Sequence, residues 1–410
     1  MYKKYKKPEL VAPAGDWCAL KTAIEAGADS LYFGVKNLNM RHWAGNFDML
    51  ELNKVMATIH DNGKIGYLAL NTIMYNSDIG KIKKILDKAK RSGVDAIILW
   101  DMAVLGHAKE LGLKVHLSTQ ASVANFAALR LYHSLGVKRI VLARECNLKD
   151  IREIIGSIKR EKLDCEIEVF VHGALCVSIS GRCLLSQYSF SRSANRGKCL
   201  QPCRYEYSIK DTRGAGMEYI LGKDYILSPK DLCTVEFIDK LIEAGIGAFK
   251  IEGRMRSPEY VMTVTSAYRK AIDSYYEGSL SSRKKKDLKR RLMLAYNRGF
   301  TGGFFFSKPN DTGSEKGTSG YDKVYLGKVV NFYSKLNVAG ILLAGESLKK
   351  GQNILVYGKT TPARIAKVEK IEKDRCPVDY AKKGELVAIK LPFKVRRNDK
   401  VFLHELRQEP

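Results

Sequence analysis

The chain has 410 residues, 45% hydrophobic and 28% charged, a globular balance that excludes intrinsic disorder. No apolar run reaches the ~18–20 residues of a membrane span. The opening MYKKYKKPEL is basic without a signal peptide's apolar stretch behind it, so the expected compartment is the cytoplasm. A formal charge of +26 and an isoelectric point near 9.6 favour polyanionic partners, nucleic acid above all.

From the N-terminus, short apolar runs alternate with helix-like stretches. The runs are Leu10–Ala12, Ser30–Gly34, Ile65–Asn71, Ala96–Asp101, Val115–Thr119, Arg139–Ala143, Glu166–His172 and Ala248–Glu252. The phrases EAGAD, RSGVD, ELGLK, SLGVK and EAGIG precede several of them, each a glycine helix stop followed by a strand entry. Eight strand–helix units predict an α/β fold, a (β/α)8 TIM-like barrel over residues 1–280. A doubly wound open sheet is the alternative, weakened because no GxGxxG turn follows the first strand.

About 70 residues separate the seventh and eighth runs, and five of the nine cysteines fall there, between Cys176 and Cys233. This insertion, at about 173–235, follows a barrel strand and so belongs on the face where barrel chemistry occurs. The spacing is Cys176-x6-Cys183-x15-Cys199-x3-Cys203, with Cys233 later. Three readings fit: an iron–sulfur cluster, zinc, or ordinary packing of small buried thiols. Cys18, Cys146, Cys165 and Cys376 fit packing or surface positions.

Polar residues that end the strands point into the barrel mouth. They include Asn71, Asp101, Ser118, Thr119, Gln120, Arg144, Glu145, His172, Glu252 and Arg254, joined by Arg41 and His42 after the second strand. Arginine suits bidentate recognition of carboxylate or phosphate. For each of these residues a salt bridge within the mouth is the structural alternative. No GxSxG or HExxH occurs, and a Ser178 or Ser180 pairing with His172 is the one hydrolytic arrangement to weigh.

After the eighth helix, SSRKKKDLKRR (281–291) opens a basic segment read as a linker over 281–320, a solvated helix face or a phosphate-contacting strip. Residues 321–410 read as short strands between turns, a small antiparallel β-barrel. It carries 19 Lys and Arg against 10 Asp and Glu, a net of +9. Small basic β-barrels often bind nucleic acid, and also serve as lids.

The cysteine segment FVHGALCVSISGRCLLSQYSFSRSANRGKCLQPCRYEY resembles the signature of the peptidase U32, or collagenase-like protease, family. PELVAPAGDWCALKTAIEAGADSLYFGVKNLNMRHWAGNF resembles that family's first unit and IEGRMRSPEYV its last barrel unit. The resemblance spans residues 8–310, and the C-terminal module is similar to the family's accessory domain. By layout the chain is most similar to the branch implicated in 5-hydroxyuridine formation at the tRNA wobble position. That resemblance implies an iron–sulfur-dependent tRNA hydroxylation enzyme with a [4Fe–4S] cluster. Its implied ligands are Cys176, Cys183, Cys199 and Cys233, with Cys203 as competitor for the last place. It implies prephenate as the small carboxylate metabolite, held by Arg41, Arg144 and Arg254 with Asn71 and Gln120. His172, Glu145 and Asp101 are then the candidate catalytic groups, His172 as proton donor. Hydroxylation of ribosomal RNA and a U32-type peptidase are the alternative activities. The need for a partner subunit stays open.

Overall fold

The computed structural model describes residues 5–205, 207–210, 218–220, 227–306 and 318–407. Seven parallel strands come first: β1 (Glu9–Ala14), β2 (Ser30–Phe33), β3 (Ile65–Ala69), β4 (Ala96–Leu99), β5 (Val115–Leu117), β6 (Arg139–Val141) and β7 (Glu166–Gly173). Helices α1 (Trp17–Glu25), α2 (Leu52–Asp61), α3 (Ile79–Arg91), α4 (Met102–Glu110), α5 (Phe126–Ser134) and α6 (Leu148–Arg160) link them.

The insertion after β7 carries α7 (Leu185–Phe190), the hairpin β8 (Ser208–Lys210) and β9 (Glu218–Ile220), β10 (Asp231–Cys233) and α8 (Ile238–Glu243). Part of the stretch YILSPKDLC, and residues 307–317 of the basic segment, lie outside the described residues. Strand β11 (Ala248–Ile251) then pairs in parallel with both β1 and β7 and closes the barrel at eight strands. The expected barrel is present, with all eight strands at the expected runs. β10 lies outside it, antiparallel to the end of β7.

The local chemistry explains the elements. AIIL is apolar throughout and SLYF is apolar or aromatic after Ser30, and both are buried throughout, as parallel strands covered on both faces must be. In α3, Ile82, Ile85, Leu86 and Ala89 form one buried stripe at helical spacing beneath an outer face of lysines. Asp16 and Asn147 cap α1 and α6 by accepting backbone N–H bonds from Ala19 (2.8 Å) and Asp150 (2.9 Å). Gly27 and Gly245, from the first and last helix-stop phrases, sit at φ +92° and +85°, a conformation that favours glycine.

α9 (Pro258–Tyr276) completes the eighth unit, and α10 (Ser282–Leu294) follows. The basic stretch forms α10, which packs on the barrel. Leu288 and Leu292 enter the barrel's apolar core, and Lys285 and Lys289 pair with Asp239 and Glu236 at 2.6 Å each.

The C-terminal module is an eight-stranded antiparallel sheet with its own apolar core, built around the long strand Tyr321–Tyr333. It docks on α1, where Thr22 Oγ1 accepts a bond from Ala363 N (2.9 Å) and Arg364 pairs with Glu25 (2.6 Å). Lys323 reaches Glu259 at the start of α9 (2.8 Å).

Candidate active site at the barrel mouth

A cavity of ≈250 Å3 opens at the C-terminal ends of the strands. Tyr32, Lys250 and Phe170 line its depth, and the insertion forms its outer wall. Of the expected binding residues, Arg41, Asn71, Gln120, Arg144 and Arg254 all line it.

Charge at the mouth is lopsided. Arg41 holds Glu252 through two contacts, Nη2–Oε2 at 2.9 Å and Nε–Oε1 at 3.2 Å. Arg144 reaches the same carboxylate at only 3.9 Å and lies 4.2 Å over the Phe170 ring. Arg254 is 4% exposed, yet its Nε and Nη1 have no hydrogen-bond partner. Burial pushes its pKa down to about 10, helped by the Arg41 charge and opposed by Tyr32 and Glu252. Burial likewise lowers Arg144. Burial alone would raise Glu252, but the three arginines outweigh it and hold the carboxyl below its ordinary value. Three guanidiniums thus share one carboxylate in a half-enclosed space. A buried cation with unmade hydrogen bonds is costly unless an anion completes it. Beside them Asn71 Oδ1 accepts from Met40 N (3.2 Å), and Ser118 Oγ donates to Gln120 Oε1.

The strap over this pocket is fastened at several loops. Arg196 pairs with Asp78 (2.6 Å) and donates to Ile73 O, and Asn195 Oδ1 accepts from Cys183 N (3.1 Å). Gly197, at φ +80°, lies so close to the loop after β2 that a Cβ would fall 2.2 Å from Asn39 O. That contact presses the Cys199 turn onto Arg41's loop.

Four cysteines of the strap line the cavity: Cys176, Cys183, Cys199 and Cys203. Two of the sulfurs accept backbone N–H bonds from two residues on, Cys183 from Leu185 (3.4 Å) and Cys199 from Gln201 (3.3 Å). Burial, aided by the neighbouring thiols, pushes Cys199 up and Cys203 up to about 11, opposed at Cys199 by the Gln201 N–H bond and the Arg41 charge and at Cys203 by Arg204. The fourth member of this group is Cys203 and not Cys233. Cys233 is buried in β10 beside His172, with its sulfur 3.9 Å from the Tyr268 hydroxyl. Among the described residues no three His, Cys, Asp or Glu side chains are arranged to hold a single metal ion.

The three expected catalytic groups stand elsewhere. Strand alternation would send His172 inward after Glu168 and Phe170. The β7–β11 register slips there, so Ile251 pairs with His172 while Lys250 pairs with Phe170. The ring instead packs among Tyr260, Tyr268 and Phe300, and burial drives its pKa down to about 3. It does not line the cavity. Asp101 caps α4, accepting from Ala103 N (2.9 Å) and Val104 N (3.3 Å). Glu145 accepts from Ser180 N at 3.4 Å and so props the strap from outside the cavity lining. Ser180 Oγ is buried without a hydrogen-bond partner, so no serine–histidine dyad forms with His172.

Lys250, Tyr32, Phe170, Arg204, Arg256 and Arg298 also line the cavity and escaped the sequence reading. Lys250 left a signal, a charge in the middle of the apolar strand AFKI. Arg256 sits two residues beyond Arg254 in the same GRMR segment.

Fold and site together define a (β/α)8-barrel protein whose mouth is closed by a cysteine-bearing strap over an arginine pocket. Residues 15–315 match the profile of Peptidase family U32, and the chain belongs to that family. It is 45% identical, over 96% of its length and 98% of the relative's, to an uncharacterized protease of Methanocaldococcus jannaschii. A collagenase of Porphyromonas gingivalis is 40% identical over 98% of this chain and 99% of its own. The tRNA hydroxylation protein P1 of Bacillus subtilis is 34% identical over 95% and 93%. No described helix is long and apolar enough to cross a membrane.

Proposed function

We propose that this protein is an iron–sulfur-dependent RNA hydroxylation enzyme that acts at C5 of the tRNA wobble uridine, with prephenate or a similar dicarboxylate in the arginine pocket. The observation that carries this reading is the convergence of four thiols and three guanidiniums on one cavity. The thiol set fits a [4Fe–4S] cluster better than zinc. Four cysteines face one space at spacings of six, fifteen and three residues, with a single tight pair rather than the paired C-x2–4-C knuckles of structural zinc, and two of the sulfurs accept N–H bonds. Cys176, Cys183, Cys199 and Cys203 would hold the cluster, which when bound supplies one-electron redox chemistry. Arg41, Arg144 and Arg254 bind and orient the carboxylates beneath it. Asn71 and Gln120 offer amide groups, and Tyr32 and Phe170 form flat walls that exclude water. The relatives named for hydroxylation of tRNA, and one named as a 23S rRNA 5-hydroxycytidine synthase, support an RNA pyrimidine as substrate. The charge of +26 supports salt-dependent RNA binding in the cytoplasm.

Hydrolysis of peptides is disfavoured, because among the described residues no histidine lines the cavity and the carboxylate there is ion-paired. The test is nucleoside mass spectrometry of tRNA from a deletion strain. We expect loss of 5-hydroxyuridine derivatives, restored by the wild type and by Cys233→Ala but not by Cys203→Ser. Iron content of anaerobically purified protein should follow the same order. Unchanged 5-hydroxyuridine in the deletion strain would refute the tRNA assignment, and full iron in Cys203→Ser would refute the ligand set.

A further inference from the structure

The cavity has a second cluster of arginines that the function proposed above does not use. Arg204, Arg256 and Arg298 line its wall beside β10, around the single buried carboxylate of Asp231. Arg204 is fully engaged and structural, donating to Ser228 Oγ (2.7 Å), Pro229 O (2.6 Å) and Leu175 O (2.8 Å). The other two are not. Each approaches Asp231 only to 3.6 Å, beyond hydrogen-bond length, and both carboxylate oxygens lack a hydrogen-bond partner. Arg298 is 7% exposed, and its Nε also has no partner. Three cations against one carboxylate leave this wall two charges in excess. Arg256 and Arg298 both lie over the ring of Tyr296, at 4.1 and 5.4 Å from its centroid. Stacking fixes the guanidinium plane, which prepares it for bidentate contact with an oxyanion.

We infer that Arg256 and Arg298 form a phosphodiester subsite for the RNA chain, gripping the backbone phosphate beside the nucleotide whose base enters the cavity. This rests on the RNA reading proposed above. An enzyme that works on a base inside structured RNA must draw that base out of its stack, and the base brings its phosphate to the rim. The GRMR segment sets the spacing. Arg254 is buried against Tyr32, while Arg256 turns to the rim, so one short stretch offers one cation to a small carboxylate and another to the backbone. Asp231 then acts as a weak internal competitor that the phosphate displaces.

The test uses the full anaerobically prepared chain, a labelled anticodon stem–loop RNA containing the wobble uridine, and uridine 5′-monophosphate against uridine. Arg256→Gln should weaken stem–loop binding about tenfold and reduce the slope of log K against log salt by about one. It should weaken the monophosphate but not the free nucleoside. Arg256→Lys should keep the salt slope while losing part of the affinity. Asp231→Asn should act in the opposite direction and tighten RNA and monophosphate binding severalfold, an effect that a merely structural aspartate would not produce. Should Arg256→Gln fail to fold, the sign of the Asp231→Asn effect decides. If the wild type binds RNA while affinity and salt slope stay unchanged in these variants, the subsite is wrong and the RNA reading stands. If the wild type binds no RNA, the functional reading falls and the subsite with it. Competition between prephenate and the monophosphate that disappears in Arg256→Gln would assign the pair to the carboxylate and overturn the proposal.

Discussion

The two ends of the barrel interior handle charge in opposite ways. At the N-terminal end, Arg139 pairs with Glu9 and Glu166 at 2.6 Å each, and Lys250 pairs with Glu168 at 2.7 Å. At the mouth, Arg41, Arg144 and Arg254 share Glu252 alone, and Arg254 is left with unmade bonds. The floor pairs each of these cations with a carboxylate at 2.6–2.7 Å, so a ligand there could only disrupt ion pairs. The mouth is an open network that an anion would complete. Both are buried clusters of Arg and Glu, so residue type does not separate structural charge from binding charge. The count of unpaired cations does.

Perturbing each end should expose this difference, most strongly at the floor. Glu168→Ala leaves Lys250 buried without its partner and is expected to lower unfolding free energy by about 3–5 kcal/mol in urea titrations. Adding Lys250→Met should recover most of that loss, since a well-packed apolar pair can replace a buried ion pair. At the mouth, Arg254→Met should leave stability unchanged or slightly higher. It should weaken prephenate binding by roughly 1.5–3 kcal/mol in calorimetric titration. If Arg254→Met were as destabilising as Glu168→Ala, the contrast between the ends would be false.

The wall between α9 and β7 gives a smaller, pH-dependent effect. His172 is neutral in the fold, with its pKa pushed down to about 3 by burial and by the Arg256 charge. Its unfolded value is near 6.5. This group's contribution is therefore fully present above pH 6.5 and is lost as pH falls from there toward about 3, by about 1.4 kcal/mol per pH unit. His172→Gln should flatten the stability–pH curve between pH 6.5 and 5 relative to wild type, whatever its effect at neutral pH. A titrating group of pKa near 6.5 lost from the activity profile of that variant would return His172 to the mouth. Asp101→Ala should show the smallest effect, a cap loss of about 1 kcal/mol seen in thermal unfolding. Its effect on activity should not exceed the fraction unfolded.

The sequence alone determined the barrel, because the periodicity of apolar runs and the glycine stops are local signals that each strand and helix carries for itself. It also brought the cysteine strap and three arginines to the cavity lining, Arg144 and Arg254 just past strand ends, where barrel geometry is predictable, and Arg41 in the loop after β2. Which of Cys203 and Cys233 lines the cavity was not legible. Spacing along a chain does not say on which side of β10 a thiol will fall, and only the packing of that strand against β7 buried Cys233 away from the others. His172 faces away from the mouth for a related reason, since a one-residue slip in the β7–β11 register reverses the side a residue faces, and nothing local announces it. Whether an arginine is paired or left open depends on carboxylates distant in sequence, Glu252 for Arg41 and Glu9 for Arg139. The tertiary structure decided that, because charge balance belongs to a volume of space rather than to a stretch of chain.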